Sequence, residues 1–472
     1  MGKNRKTTVF EEINIENVAA EGKCVARVDN QVIFVEGVAP GDVVDLLVTK
    51  RKKNFMEARP IKFYSYSEDR QKPFCAHFDL CGGCKWQHLT YESQIKFKQQ
   101  QVVDNLERIA KVKLPAINPI LPSPDERYYR NKLEFTFTNK RWLTHEEIKT
   151  ENILSKNALG FHVRKRFDKI IDIQHCHLQP DPSNTIRVRV RNFAEENNLP
   201  FFDLVNQIGF LRNLIVRNTL DGQIMVIVIF AYEDQYNIDK IMSFIEKEFS
   251  EITSLLYVVN PKKNEIIHDL EVITFSGKSY ITETMEGLHF RIGPKSFFQP
   301  NVKQALQLYS TARNFANLTG QEVVYDLYTG TGTIANFVAG KSKKVIGIEY
   351  VAEAIEDAKI NSKINNISNT QFYAADIQNL LNEDFLNSHE PPDVVITDPP
   401  RAGMHQDVVN MLLKMAAPTI VYISCNPATQ ARDIGMLDEK YELKAVQPVD
   451  MFPHTTHVEN VVLLNLRDRL NE

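Results

Sequence analysis

A lone cysteine in Tyr422-Ile-Ser-Cys425-Asn426-Pro427 lies between Asp398-Pro399-Pro400-Arg401 upstream and His457-Val458-Glu459-Asn460 downstream. A thiol and a later carboxylate in this order can perform covalent chemistry on a nucleic-acid base. The thiolate adds to an electron-poor ring carbon, and the carboxylate then removes a proton so that the sulfur can leave. Taken alone, Cys425 suits a core position better. Free cysteine is among the most buried residue types, and reactivity needs a special environment.

A second group could hold an inorganic centre. Cys75-x5-Cys81-x2-Cys84 is followed by Cys176 in Gln174-His175-Cys176-His177. Four thiolates are what a 4Fe–4S cluster requires. Tetrahedral zinc accepts the same ligands, and His77, His175 and His177 lie near them in the sequence. Spacing leaves cluster and zinc equally open. Gly82-Gly83 lets the backbone wrap tightly, and the pattern is not the C-x3-C-x2-C of radical enzymes.

The elements that must position Cys425 lie in residues about 296–472, where helix and strand patterns alternate as βαβ units of a parallel sheet. A buried strand, Val323-Val-Tyr-Asp326-Leu-Tyr328, runs into the glycine turn Gly330-x-Gly332. A second strand ends at Glu349, whose carboxylate can accept from both hydroxyls of a ribose. A third ends at Asp376, placed for an adenine amino group; a fourth ends at Asp398 and a fifth at Cys425. Ligands of such sheets sit beyond the carboxyl ends of the strands, so these groups converge on one crevice. That convergence points to S-adenosylmethionine. The missing third glycine weighs against a dinucleotide dehydrogenase. Asp-Pro-Pro followed by arginine, with a thiol one strand later, weighs against amino-group methyltransferases.

At 472 residues, two to four domains are expected. Residues 8–60 read as short strands with turns, a small OB-like barrel in which Cys24 is a structural thiol. Residues 93–112 have the apolar spacing of an amphipathic helix that can pack on the catalytic domain, and residues 120–295 read as α+β. The domains are set at 1–62, 63–295 and 296–472. The net charge of −4 argues against a uniformly basic protein, yet basic runs such as Lys50-Arg51-Lys52-Lys53 and Arg164-Lys165-Arg166 crowd the first 170 residues. With Tyr128, Tyr129, Phe135 and Phe137 interleaved among them, they suit a surface that meets phosphates and stacks bases. No apolar run reaches the roughly 18 residues of a membrane span, and the basic N-terminus lacks a signal-peptide core. A cytoplasmic monomer is expected.

Residues 296–472 resemble the RNA 5-methyluridine (uracil-C5) methyltransferases, through Ser296-Phe-Phe-Gln299-Pro-Asn, Asp398-Pro-Pro-Arg-Ala-Gly, Ser424-Cys-Asn-Pro and His457-Val-Glu-Asn. Gly22-Lys-Cys-Val-Ala-Arg27 and Val35-Glu-Gly-Val-Ala-Pro-Gly41 resemble a TRAM domain, an RNA-binding barrel. With the four cysteines, the whole is similar to the branch that methylates 23S ribosomal RNA and carries a 4Fe–4S cluster. The resemblance implies a doubly wound α/β methyltransferase domain. It also implies Gln299, Tyr328, Glu349 and Asp398 as cofactor contacts, Cys425 as nucleophile, Glu459 as base, and Cys75, Cys81, Cys84 and Cys176 as cluster ligands. Thr329 stands where that family often has cysteine. Phe297 or Phe298 can stack on a flipped base. The same reaction on a tRNA T-loop, and a noncatalytic RNA-binding protein, are the alternatives.

Overall fold

Alternating apolar residues curl the first strands into a barrel. In the computed structural model, which describes residues 8–19, 22–143, 145–149 and 155–467, six strands lie in the order Val9–Asn14, Val43–Arg51, Phe55–Ser65, Gln31–Val35, Cys24–Val28, Asn17–Val18. Ile15, Ala26, Ile33, Val35, Val44 and Leu46 fill its core, and the buried Cys24 thiol donates to Val38 O at 3.2 Å. The basic residues 1–7 and Glu21 lie outside the described residues. The strand reading ends at 60, but the chain stays in a strand to Ser65 because Phe55–Ser65 pairs with Val43–Arg51 to its end. Its outer half has no buried residue, and Pro60 interrupts the strand pattern there.

The middle of the chain forms a seven-stranded mixed sheet in which Ile224–Phe230, Leu211–Asn218 and Lys132–Thr138 are central. Helices Ser183–Glu196 and Gln235–Glu248 share one core with it. Tyr129, Phe135 and Phe137 are buried in that core, so of the four aromatics expected to stack on bases only Tyr128 is exposed. The hairpin Ile281–Met285/Leu288–Ile292 bridges two cores. Ile281 and Ile292 pack with the middle sheet, while Met285 and Phe290 pack against the helices that follow. The expected division at 295/296 thus falls just after a shared hairpin.

The C-terminal sheet has seven strands: β1 (Val323–Leu327), β2 (Lys344–Glu349), β3 (Thr370–Ala374), β4 (Val394–Thr397), β5 (Thr419–Ser424), β6 (Tyr441–Val449) and β7 (Glu459–Leu466). Their spatial order is β3-β2-β1-β4-β5-β7-β6. The first five are parallel, and β7 is antiparallel to both β5 and β6. Alternate residues serve opposite faces: Val323, Tyr325 and Leu327 enter one core and Val324 the other. The first core also takes in Val102, Leu106 and Ala110, from helix Tyr91–Asn105 and the π-turn Leu106–Ala110. That helix, distant in sequence, is built into the catalytic unit.

One face of it carries Lys98, fully buried. Its Nζ donates to Asp450 Oδ1 at 2.6 Å and to Phe452 O at 2.9 Å, while Tyr91 OH donates to Asp450 Oδ2 at 2.9 Å. Asp450 is also fully buried, and it begins the loop that leads into β7. Removing one partner of such a pair leaves the other charge stranded in the interior. Lys98→Met is expected to destabilise the protein by roughly 3–5 kcal/mol. In urea unfolding, the double variant Lys98→Met/Asp450→Leu should recover part of that loss.

Candidate active site and cysteine-lined cavity

The glycine turn after β1 has a backbone that few side chains permit. Tyr328, Gly330 and Gly332 have φ of 63°, 54° and 73°. A Cβ on Gly332 would lie 2.8 Å from Ala358 Cβ, so only glycine fits between this turn and helix Ala352–Ile364. Gly330 N–H donates to Glu349 Oε2 at 3.2 Å, and Val351 N–H to Oε1 at 3.0 Å. Each carboxylate oxygen retains acceptor capacity, which suits a ribose. Asp376 Oδ1 accepts from Gln378 N at 2.9 Å and caps a one-turn helix. The Tyr328 hydroxyl lies within electrostatic reach of Asp433, Asp376 and Glu349. Glu349, Asp376 and Tyr328 therefore stand together at the ends of β1–β3.

Gln299 reaches the same crevice from the segment before helix Val302–Ala316; its carbonyl accepts from Asn131 Nδ2 at 2.9 Å. Its side chain hydrogen-bonds Tyr309, a buried hydroxyl that faces Asp398, Asp326 and Glu459. Tyr309 belongs to no motif, and only the apolar face of its helix could have marked it. Of the two candidate base-stacking residues, Phe298 packs against Phe290, while Phe297 is 69% exposed.

Sheet register sets Cys425 and Glu459 opposite one another. Ser424, the last residue of β5, pairs with Asn460 across the antiparallel β5/β7 ladder, so Cys425, just past β5, comes beside Glu459, the first residue of β7. Because β7 runs in reverse, its first residue arrives where the parallel strands end. Glu459 is buried; burial, then the charge of Asp398, raise its carboxyl to about 8, with Arg401 opposing. Cys425 is half-buried, and burial followed by the charges of Glu459 and Asp398 pushes its thiol up to about 11. Arg401 opposes that rise by charge and by a hydrogen bond to the thiol, so it is the counter-charge available to a thiolate.

Arg401 is itself held in place. Its carbonyl accepts from Asn426 Nδ2 at 3.0 Å and Thr429 Oγ1 at 3.2 Å, and its Nη2 lies 2.9 Å from His457 Nδ1. Burial, then the nearby Arg401 charge, lower His457 to about 4, so it stays neutral and can accept that hydrogen bond. Arg401 of the Asp-Pro-Pro-Arg motif and His457 of His-Val-Glu-Asn carry no assigned role in the sequence reading. Sequence proximity to Cys425 and Glu459 was the available signal. Asp398 rises to about 7 through burial and the charge of Asp326. Asp326 also rises to about 7, chiefly by burial, although Thr329 Oγ1 donates to it at 2.5 Å. Thr329 thus fills its position with a hydrogen bond.

Cys75, Cys81, Cys84 and Cys176 line one cavity of about 310 Å³ together with His77, His175 and His177. All six cysteines of the chain are free thiols. Burial, augmented by neighbouring thiolate charge, pushes Cys84 up to about 11 and Cys176 to about 12. Among the described residues, no three His, Cys, Asp or Glu side chains converge closely enough to hold one metal ion. The histidines are otherwise engaged: His77 Nε2 accepts from Gln174 N at 2.9 Å, and Tyr128 OH lies 3.2 Å from both His175 Nε2 and His177 Nδ1. Gly83 N–H donates to Cys81 Sγ at 3.4 Å.

With this geometry in view, the similarities to known proteins are informative. A TRAM domain matches residues 8–61, and the family described as tRNA (Uracil-5-)-methyltransferase matches residues 216–467. The chain belongs to the tRNA (uracil-5-)-methyltransferase family. It is 56% identical to an RNA methyltransferase of Bacteroides thetaiotaomicron over 95% of this chain and all of that one. It is 53% identical to an RNA methyltransferase of Porphyromonas gingivalis, covering 96% and 99% of the two chains. A crystal structure of the Pyrococcus abyssi tRNA (uracil-54, C5)-methyltransferase, in complex with S-adenosyl-L-homocysteine, is 29% identical. It superposes with a TM-score of 0.73, covering 96% of this chain and 99% of that one. This member of the uracil-5-methyltransferase family is therefore an RNA methyltransferase with the S-adenosylmethionine-dependent fold.

The buried carboxyls make the stability of this uracil-5-methyltransferase family member depend on pH. Asp326, Asp398 and Glu459 keep protons that the unfolded chain releases above its ordinary carboxylate range. Their contribution is present below about pH 4 and is lost as pH rises to about 8. Without RNA, Glu459→Gln is expected to lose stability less steeply than the parent between about pH 5 and pH 8. The difference should not exceed about 1.4 kcal/mol per pH unit. Urea midpoints measured across that range are the check; identical slopes would show that Glu459 is ionised throughout.

Proposed function

We propose that this enzyme transfers methyl from S-adenosylmethionine to carbon 5 of a specific uridine in 23S ribosomal RNA, through a covalent bond between Cys425 and carbon 6. The observation that carries the reading is the opposed placement of Cys425 and Glu459 beside Arg401 at the end of β5 and start of β7. Carbon 5 of uracil is a weak nucleophile. Addition of the Cys425 sulfur to carbon 6 breaks the 5,6 double bond and moves its electrons toward the carbonyl oxygen at carbon 4, making carbon 5 nucleophilic. The thiol releases its proton to water before the sulfur adds, and Arg401 faces the thiolate. S-adenosylmethionine supplies the electrophilic methyl when bound, with Gln299, Tyr328, Glu349, Asp376 and Asp398 as its contacts. Glu459, as carboxylate, then takes the carbon 5 proton; the electrons re-form the double bond and Cys425 leaves as thiolate.

The four cysteines would hold a 4Fe–4S cluster. A cavity of about 310 Å³ whose side chains do not converge on one point suits a cluster of several atoms better than a single zinc ion. Its positive irons would favour the thiolates that burial disfavours, and its proposed role is to brace the fold. The TRAM domain and the cysteine set favour ribosomal RNA as substrate. The Pyrococcus abyssi tRNA enzyme, which matches over 96% of this chain, favours tRNA as the second reading. The protein is proposed to act as a cytoplasmic monomer.

Cys425→Ala is expected to abolish methyl transfer. Glu459→Ala should methylate once and remain covalently attached to RNA, seen as a band of reduced mobility on a denaturing gel. Release of methylated RNA by Glu459→Ala at the parent rate would refute its role as base. Labelled S-adenosylmethionine offered with unmodified ribosomal RNA or tRNA should label the former; label in tRNA alone would transfer the reading to the T-loop. Anaerobically purified protein should be brown and contain iron. A colourless preparation containing zinc would overturn the cluster.

A further inference from the structure

The basic run Arg164-Lys165-Arg166 takes no part in the crevice, yet the structure ties it to the cysteine loop. It lies in a turn closed by Val163 N–H donating to Lys169 O at 2.9 Å and Arg166 N–H to Val163 O at 3.0 Å. At its tip Phe167 is 73% exposed, beside the exposed Arg166. An exposed phenylalanine that follows Arg164-Lys165-Arg166, with Asp168 and Lys169 after it, is poor packing, but it is a good contact for a nucleic acid, where the ring stacks on a base and the cations meet phosphates.

The base of this turn is fastened to the cysteines. Gly82 N–H donates to His162 O and Arg164 N–H to Leu80 O, both at 3.0 Å. The Arg164 guanidinium donates to Cys81 O from Nε at 3.1 Å and also to Cys84 O. On the other side, Lys165 Nζ donates to Glu36 of the barrel at 2.8 Å. Lys23, Lys85 and Lys165 all act on Glu36, and Lys85 also acts on His457, the neighbour of Arg401. Cationic side chains thus recur from the tip, across the seam between barrel and cysteine loop, to the residues around Cys425, with Glu36 and Asp79 set among them.

We propose that the turn Val163–Lys169 is an RNA-contacting tip, with Phe167 stacking on a base outside the target nucleotide and Arg166 on the phosphates, its position set by the cysteine loop through Arg164. The proposal rests on the reading of Cys425 as the methylation site, because the strand is taken to run from there past Lys85. It assigns the cysteine loop a task besides bracing the fold: order at the cysteines becomes reach on the RNA.

The test uses the full chain and a fluorescein-labelled RNA hairpin with uridines in its loop. Phe167→Ala is expected to bind it roughly tenfold more weakly, with Phe167→Trp restoring affinity. Arg166→Gln should lower the slope of log affinity against log salt by about one. S-adenosylmethionine affinity and urea midpoint should stay at parent values in all three, because both side chains are exposed. Cys81→Ala should weaken the hairpin more than it weakens S-adenosylmethionine. Parent affinity and salt slope in both Phe167→Ala and Arg166→Gln would overturn the tip. So would a defect seen only with assembled ribosomal particles, which would assign Phe167 to a protein partner. Methyl transfer by the parent is scored separately. Its absence would defeat the proposed reaction and leave the hairpin titration to judge the tip.

Discussion

The buried pair between Lys98 and Asp450 holds the site together. These residues are 352 positions apart, and neither is exposed. An ionised lysine and carboxylate in the interior persist only when each has the other and further hydrogen bonds. Phe452 O and Tyr91 OH complete that set. The loop after Asp450 is gripped again at His454, whose carbonyl accepts from Lys85 N and Trp86 N and whose N–H donates to Gln94. The barrel touches it too: Gly22, where a Cβ would strike Thr456, allows the approach. Helix, cysteine loop and barrel thus meet on the stretch that delivers His457 and Glu459. The N-terminal third of the chain is structural support for the carboxyl of Glu459, supplied near the C-terminus.

The chemistry of the crevice follows from how little charge is allowed there. Asp326 and Glu459 are buried, Asp398 is partly buried, and Arg401 is the cation that the structure sets against Glu459 and Cys425. In such surroundings a thiol and a carboxyl both favour their neutral forms. In the proposed reaction, a ring that accepts electron density from sulfur would carry charge away from the neighbourhood of Glu459. Neutral His457 contributes by fixing the guanidinium without adding a second positive charge.

Much of this was legible in the chain. Strands that end in Glu349, Asp398 and Cys425 declared a crevice, since parallel strands present their carboxyl ends together. Three cysteines within ten residues declared the lined cavity. What stayed hidden depends on partners rather than pattern. The amphipathic spacing of helix Tyr91–Asn105 shows a buried face but not that Lys98 lies on it. Tyr309 looks like any core aromatic until three acids are seen around it. Phe135 and Phe137, adjacent to basic residues in sequence, point the other way, because a central strand buries both. Strand Phe55–Ser65 ends without a buried residue, and Pro60 within it imitates a strand end.

The reversal of β7 has a consequence for how this protein can vary. Glu459 and Cys425 owe their separation to a ladder of main-chain hydrogen bonds, and side chains are passengers on it. A strand has a two-residue period, so sliding β7 by one position would turn Glu459 to the opposite face of the sheet and bring Val458 or Asn460 into its place. The segment between Val449 and Glu459 therefore behaves as a ruler. Its amino acids can change wherever the anchors allow, but its length is read by the sheet as a digital quantity.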